Sequence, residues 1–195
     1  MRIEPLADEV AVVKLQHAEH GSKTNPMDTR WLLWKAAQFQ GSVLEIGCHR
    51  GHTTYELAMA NPRRHVWAVD WAENTRLKDW QLCDLLPPSE LCERARYLPN
   101  GNLLVLDSQF LDYSQLSGLA FVYIDGDHSL EGVKVDTELA LAYFARSPKS
   151  GHPACIVWYD YAEDGPLGVG PYLRTRTDLD LVRVKNSTLV YMEIE

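Results

Sequence analysis

Short apolar runs alternating with helix-patterned segments constrain this chain more than any other feature. The runs are SVLEI (Ser42–Ile46), HVWAVD (His65–Asp70), LLVL (Leu103–Leu106), AFVYID (Ala120–Asp125) and ACIVWYD (Ala154–Asp160). Each is brief and rich in Val, Ile, Leu or aromatic residues, as strands buried on both faces are. Between them, Thr53–Ala60 reads as a helix that stops at Asn61-Pro62, because proline biases its predecessor away from helix. Leu130–Arg146 places Val133, Thr137, Ala140, Leu141 and Phe144 on one stripe, with Ser129 as N-cap. Asp28–Gln40, carrying Trp31, Leu32, Trp34 and Lys35, reads as a helix that Gly41 ends. Strands alternating with helices predict an α/β fold with a doubly wound, mostly parallel sheet. The last stretch, LDLVRVKNSTLVYMEI, alternates around Asn186-Ser187 and predicts a terminal antiparallel hairpin.

At 195 residues and 46% hydrophobic, the chain fits one domain that buries a core without disulfides or a structural metal. Its 19 basic and 27 acidic residues leave a net charge of −8 with no basic stripe, so nucleic acid is not an expected partner. Cys48, Cys83, Cys92 and Cys155 have no metal-site spacing and read as free thiols, with a Cys83–Cys92 bridge left open. There is no apolar signal core and no 18-residue apolar window, so no membrane partner is expected and a cytoplasmic location is the simplest reading.

A doubly wound sheet binds ligands at the carboxyl ends of its strands. After the first run stands Glu45-Ile-Gly47-Cys48-His49-Arg50-Gly51-His52-Thr53-Thr54. Two glycines four apart, opening a helix, permit a tight turn and a close backbone approach to a ligand, although structural turns use them too. The acidic Glu45 suits a cationic or hydroxyl-bearing ligand and would repel a pyrophosphate. Asp70 can accept two ribose hydroxyls and Trp71 can stack on a base; the plainer readings are a helix cap and a packed core residue. Asp107-Ser108 can receive an adenine amino group or serve as another cap. The fourth run delivers Asp125-Gly126-Asp127-His128-Ser129, three ionisable groups within four residues, and the fifth adds Asp160. Neighbouring strands lie about 5 Å apart, so Asp125 and Asp160 can share a metal ion or a substrate proton if their strands are adjacent.

These residues resemble a known family. VLEIGCHRGHTT resembles the first signature of class I S-adenosylmethionine-dependent methyltransferases, in the form E-x-G-x-x-x-G-x-T, and VWAVD resembles the second. VYIDGDHSLEGVKVDTELA followed by IVWYDYAEDGPLGVG is similar to small methyltransferases acting on sugars and natural products. That group includes proteins described as macrocin O-methyltransferase-like and cephalosporin-hydroxylase-like. The resemblance runs from Asp28 to the carboxyl terminus, so residues 1–27 are expected to be an extension and 28–195 the methyltransferase domain. It implies a Rossmann-like sheet of seven strands ending in the hairpin. It also implies S-adenosylmethionine as cofactor and O-methylation of a small-molecule hydroxyl.

The same resemblance implies roles for single residues. Gly47, Cys48 and Gly51 surround the amino-acid part of the cofactor, with Glu45 near its ammonium and sulfonium. Asp70 takes the ribose hydroxyls, Trp71 packs on the adenine, and Asp107 with Ser108 holds it. Asp125 borders the cofactor and, with Asp160, matches magnesium-ligand positions of metal-dependent relatives. Asp127 matches their base, and His128 is a second candidate whose pKa lies near neutrality. Where those relatives carry Asp-Asp, this chain has Tyr159-Asp160, which removes a hard oxygen ligand that magnesium prefers.

Rival readings are a hydroxylase-like relative and a non-catalytic binding module that keeps the fold. A dehydrogenase is disfavoured by the glycine spacing. His17, His20, His65 and His152 read as surface or cap residues, and Trp31 with Trp34 as core. Glu163–Gly170 reads as a mobile loop over the acceptor site. Acceptor selection would come from the amino-terminal segment, residues 71–102, the Gly165–Gly170 loop or a second subunit of a homo-oligomer.

Overall fold

The computed structural model describes residues 1–5, 10, 15, 24–71, 86–146 and 153–195. Strand β1 (Arg2–Glu4) is followed by α1 (Pro26–Ala36), β2 (Ser42–Ile46), α2 (His52–Ala60), β3 (Val66–Asp70) and β4 (Gly101–Val105). Then come β5 (Leu119–Ile124), α3 (Leu130–Arg146), β6 (Ala154–Trp158), α4 (Val169–Thr175), β7 (Val182–Val184) and β8 (Val190–Ile194). One sheet holds all the strands in the order β1-β7-β8-β6-β5-β2-β3-β4. Only β8 runs against its neighbours β6 and β7; the other pairings are parallel.

Strands β2, β5 and β6 are buried along their whole length. Successive side chains on a strand point to opposite faces, so both faces must be apolar there. Val43, Phe121, Tyr123, Cys155 and Val157 pack beneath α1 and α2, together with Trp31, Leu32 and Leu57. Leu44, Ile46, Val122, Ile124, Ile156 and Trp158 pack on the other face with Val133 and Ala140 of α3 and Leu173 of α4. Inside that second layer the Trp158 indole donates to Thr137 Oγ1 at 2.8 Å.

Local chemistry explains the helix ends. The Asn25 side chain accepts the Met27 N–H at 2.9 Å, with Pro26 in the first turn, so α1 starts ahead of the expected Asp28. Ser129 Oγ accepts the Gly132 N–H at 3.0 Å and caps α3 as expected. The hairpin turns at Asn186, whose φ is 60°.

Among the described residues the sheet has eight strands where seven were expected. The extra one is β1, which pairs parallel with β7 at the sheet edge. A three-residue edge strand with charged residues at both ends leaves no apolar run to detect. His17, His20, Cys83 and His152 lie outside the described residues, whereas Cys48, Cys92 and Cys155 are free and buried. Among the described residues, no helix is long and apolar enough to cross a membrane.

Candidate functional site

The chain leaves β2 in one direction for β3 and β4, and β5 leads the other way to β6. In sheets of this kind ligands bind at such a reversal, here the carboxyl ends of β2 and β5. Their registers bring the exits level: Glu45 lies opposite Tyr123, Asp125 N–H donates to the Ile46 carbonyl at 2.8 Å, and Tyr159 N–H donates to the Ile124 carbonyl at 3.1 Å.

The glycine turn stands on one side. Gly47 has φ 92°, and a Cβ there would collide with the Asp125 carbonyl, so only glycine lets the two strand exits approach. Gly51, at φ 79°, precedes α2, and a Cβ there would lie 2.9 Å from Cys92 Cα and Sγ. Cys92 N–H donates to the His49 carbonyl at 2.6 Å, while Arg50 pairs with Glu90 at 2.6 Å and Glu93 at 3.1 Å. Residues 86–98 therefore clamp the turn from outside, a contact with no sequence signature. No side chain caps α2, which leaves its first N–H groups to other acceptors. The Cys48 thiol is buried and faces Cys92; that contact, then burial, pushes its pKa up.

Glu45 is 1% exposed, and its carboxyl accepts a hydrogen bond from Thr54 Oγ1 in α2. Burial, joined by the charges of Asp125 and Asp70, raises its pKa well above the carboxylate range despite the Thr54 contact. Asp70 Oδ2 accepts the His49 N–H at 2.5 Å, and its Oδ1 accepts the Trp71 N–H at 2.7 Å. The carboxylate thus ties the glycine turn to the end of β3 and keeps lone pairs on each oxygen. Burial raises its pKa. Asp107 caps the short turn Ser108–Phe110, accepting the Gln109 N–H at 3.0 Å. The plainer capping reading therefore holds for Asp107, while the Asp70 carboxylate joins the glycine turn to the end of β3.

Beyond β5 the acidic groups meet. His128 Nε2 is 3.3 Å from Asp125 Oδ1 and 3.9 Å from Asp160 Oδ2. Tyr123 OH donates to Asp125 Oδ2 at 3.1 Å. Burial pushes the Asp125 pKa up to about 6, with His128 opposing and Asp160 adding to the rise. For His128, burial disfavours the imidazolium, but Asp125, Asp160 and Asp127 outweigh it and the pKa rises. Asp160 has φ 57° and His49 φ 46°, sparsely populated values for residues with a Cβ. Such strain gathers where a structure must aim particular groups.

Asp127 faces elsewhere. Its Oδ1 accepts the Ser129 N–H at 2.8 Å and its Oδ2 the Ser129 hydroxyl at 2.9 Å, at the start of α3. Gly168 N–H donates to the His128 carbonyl at 2.6 Å, so the glycine-rich segment before α4 rests on the His128 turn. Two further segments border this rim. Asn25 N–H donates to Tyr159 OH at 3.3 Å, and Thr188 Oγ1 donates to Asp28 Oδ2 at 3.4 Å.

The expected magnesium ligands Asp125 and Asp160 are near each other, but the imidazole nitrogen lies against both carboxylates. Among the described residues no group of three or more His, Cys, Asp or Glu side chains is arranged to hold a metal ion. This donor set does not fit a hard six-oxygen cation. The glycine turn, the uncapped α2 and the acids Asp70 and Asp107 do fit a ligand combining an amino acid with a nucleoside.

The sequence model of a methyltransferase domain family matches residues 44–147, just over half of the chain. Among solved structures, an S-adenosylhomocysteine-bound methyltransferase of Podospora anserina is 12% identical, with 96% of this chain and 88% of that chain covered and a TM-score of 0.56. The N-methyltransferase NodS of Bradyrhizobium japonicum is 13% identical, covering 85% of this chain and 92% of its own, at a TM-score of 0.50. These likenesses show a shared fold. No curated protein matches the chain.

Proposed function

The chain belongs to this methyltransferase family, and we propose that it methylates a hydroxyl of a small molecule with S-adenosylmethionine, as macrocin O-methyltransferase-like enzymes do. The observation that carries the reading is the placement of His128 between Asp125 and Asp160, beside the glycine turn at the same strand ends.

When bound, the cofactor supplies a methyl group on a sulfonium, already electrophilic enough that positioning dominates the chemistry. Gly47 and Gly51 let the backbone approach the amino-acid part, and the first turn of α2, which no side chain caps, suits its carboxylate. In this reading Asp70 takes the ribose hydroxyls, and Asp107, Ser108 and Trp71 take the base. Glu45, sealed behind Thr54, acts through its field rather than by contact.

His128, whose Nε2 lies against Asp125 and Asp160, takes the proton of the acceptor hydroxyl on Nδ1 as that oxygen attacks the methyl carbon. Asp125 and Asp160 stabilise the resulting imidazolium, and Tyr123 holds Asp125 in place. Asp127, with both oxygens on Ser129, shapes the turn that presents His128. No step passes through a metal.

The test is mass spectrometry of sugar and natural-product hydroxyl acceptors incubated with the protein and S-adenosylmethionine, alongside calorimetry with S-adenosylhomocysteine. A product heavier by one methylene unit and saturable binding support the reading. Failure to bind S-adenosylhomocysteine removes it.

A further inference from the structure

A cavity of about 700 Å³ opens at the β7 end of the sheet, between the segment that leaves β6 and the stretch that joins α4 to β7. Volumes of this size hold small molecules. The cofactor half, β2 to β4, stands at the other end of the sheet, with β5, β6 and β8 between. The floor of the cavity is apolar. Leu173 of α4 is 1% exposed and Leu181 is 3% exposed, and Leu179 lines it beside them.

Tyr161 is the polar group sunk into this floor. It is 4% exposed, its ring packs within the second core layer, and the Arg183 guanidinium lies 5.4 Å from the ring centre. Among the described residues no group bonds its hydroxyl, and that hydroxyl is not sealed off, so it reaches the cavity that the side chain lines. A hydroxyl fixed by a buried ring and left unengaged is preorganised for a ligand, because its conformational freedom is already lost on folding.

The charges at the mouth divide into engaged and unengaged. Glu163 pairs with Arg183 at 2.8 Å, and Arg176 is held by Glu138 at 2.6 Å and Asp178 at 2.7 Å. Arg174 of α4 donates from Nη1 to the Glu163 carbonyl, and no carboxylate pairs with it among the described residues. Asp164, on the segment after β6, likewise pairs with no cation among the described residues. One guanidinium and one carboxylate of opposite sign therefore face the same cavity from two segments. Solvated surface charges account for each singly. They do not account for both beside an enclosed, unengaged hydroxyl over an apolar floor.

We propose that this cavity binds a zwitterionic α-amino acid with an apolar side chain, at a site separate from methyl transfer. The ligand carboxylate meets the Tyr161 hydroxyl and the free edge of the Arg174 guanidinium, which suits a planar group with two oxygens. The ammonium meets Asp164, and the side chain covers Leu173 and Leu181. A plain carboxylate would leave Asp164 unanswered, and a plain amine would leave Arg174 so. The site does not depend on the methyltransferase reading.

Calorimetric titration with L-leucine and L-phenylalanine tests this, with isocaproate and isoamylamine as leucine analogues that lack the ammonium and the carboxylate. At least one amino acid should bind saturably, and each analogue should bind about tenfold or more weakly than leucine. Arg174→Gln and Asp164→Asn should each weaken amino-acid binding by about tenfold, and Tyr161→Phe by about fivefold. S-adenosylhomocysteine affinity should stay within about threefold of wild type in all three, because the cofactor half is remote. Absence of saturation by either amino acid at about 10 mM, where a millimolar site is largely filled, overturns the proposal. So does an analogue that matches leucine, or amino-acid affinity untouched by Arg174→Gln. A larger loss of S-adenosylhomocysteine affinity in the variants overturns the separateness of the site. Arg174 and Asp164 are exposed, so their variants keep the fold and remain readable. Wild-type protein that binds an amino acid but not S-adenosylhomocysteine fails the cofactor reading and leaves this site standing.

Discussion

Tyr123 and Asp125 stand two residues apart at the end of β5, and the tyrosine hydroxyl donates to the aspartate Oδ2 at 3.1 Å. Alternate residues of a strand share a face, so a fully buried tyrosine anchors the carboxylate that meets His128 on its other oxygen. His128 is thus oriented from inside the sheet.

If His128 is the base, it must be neutral to act, and its raised pKa sets the acid limb of the rate. Turnover should climb as pH rises through a value above that of an ordinary histidine. Asp125→Asn removes a charge that favours the imidazolium, so the limb should move to lower pH. Profiles of kcat/KM against pH for both proteins check this, and an unmoved limb contradicts it.

His128→Ala should lower turnover by about a hundredfold or more, with S-adenosylhomocysteine affinity within about threefold of wild type. Asp127→Asn should cost much less, because its carboxylate oxygens serve Ser129 at the start of α3. Comparable losses in the two variants would return Asp127 to the role of base.

Glu45 offers a proton-linked signal. Burial, with Asp125 and Asp70 nearby, favours its neutral acid in the free protein, and a cationic ligand favours the carboxylate. Binding of S-adenosylmethionine should therefore release more protons than binding of S-adenosylhomocysteine, which lacks the sulfonium charge. Calorimetry in buffers of different ionisation enthalpy measures the difference.

Gly51→Ala should destabilise the protein by about 2–5 kcal/mol. A left-handed alanine costs about 1–2 kcal/mol and a forced contact about 1–3, and here the contact is with Cys92, including its backbone. Because Cys92 clamps the turn, cofactor affinity should fall along with the Tm. Denaturant unfolding and calorimetry read the two effects.

Much of this was legible in the sequence. The five apolar runs became β2 to β6 because strands buried on both faces leave uninterrupted aliphatic stretches, and α3 matched its expected bounds. The strand-end acids and glycines were visible because ligand sites in such sheets follow the strands. Three features were not. Strand β1 is too short and polar to register; the clamp of residues 86–98 on the glycine turn depends on backbone hydrogen bonds; and the enclosure of Glu45 by Thr54 appears only when α2 folds over β2. The meeting of Asp125, His128 and Asp160 depended on β5 and β6 being adjacent, which sequence order alone left open.

The contacts Asn25–Tyr159 and Thr188–Asp28 bring the start of α1 and the terminal hairpin to one border of the rim, away from the glycine turn's clamp. Exchange of these two pieces between homologues could therefore retune acceptor preference while the nucleoside half is inherited unchanged. Chimeras joined just before β2 and just after α4 would be the natural units for such grafting.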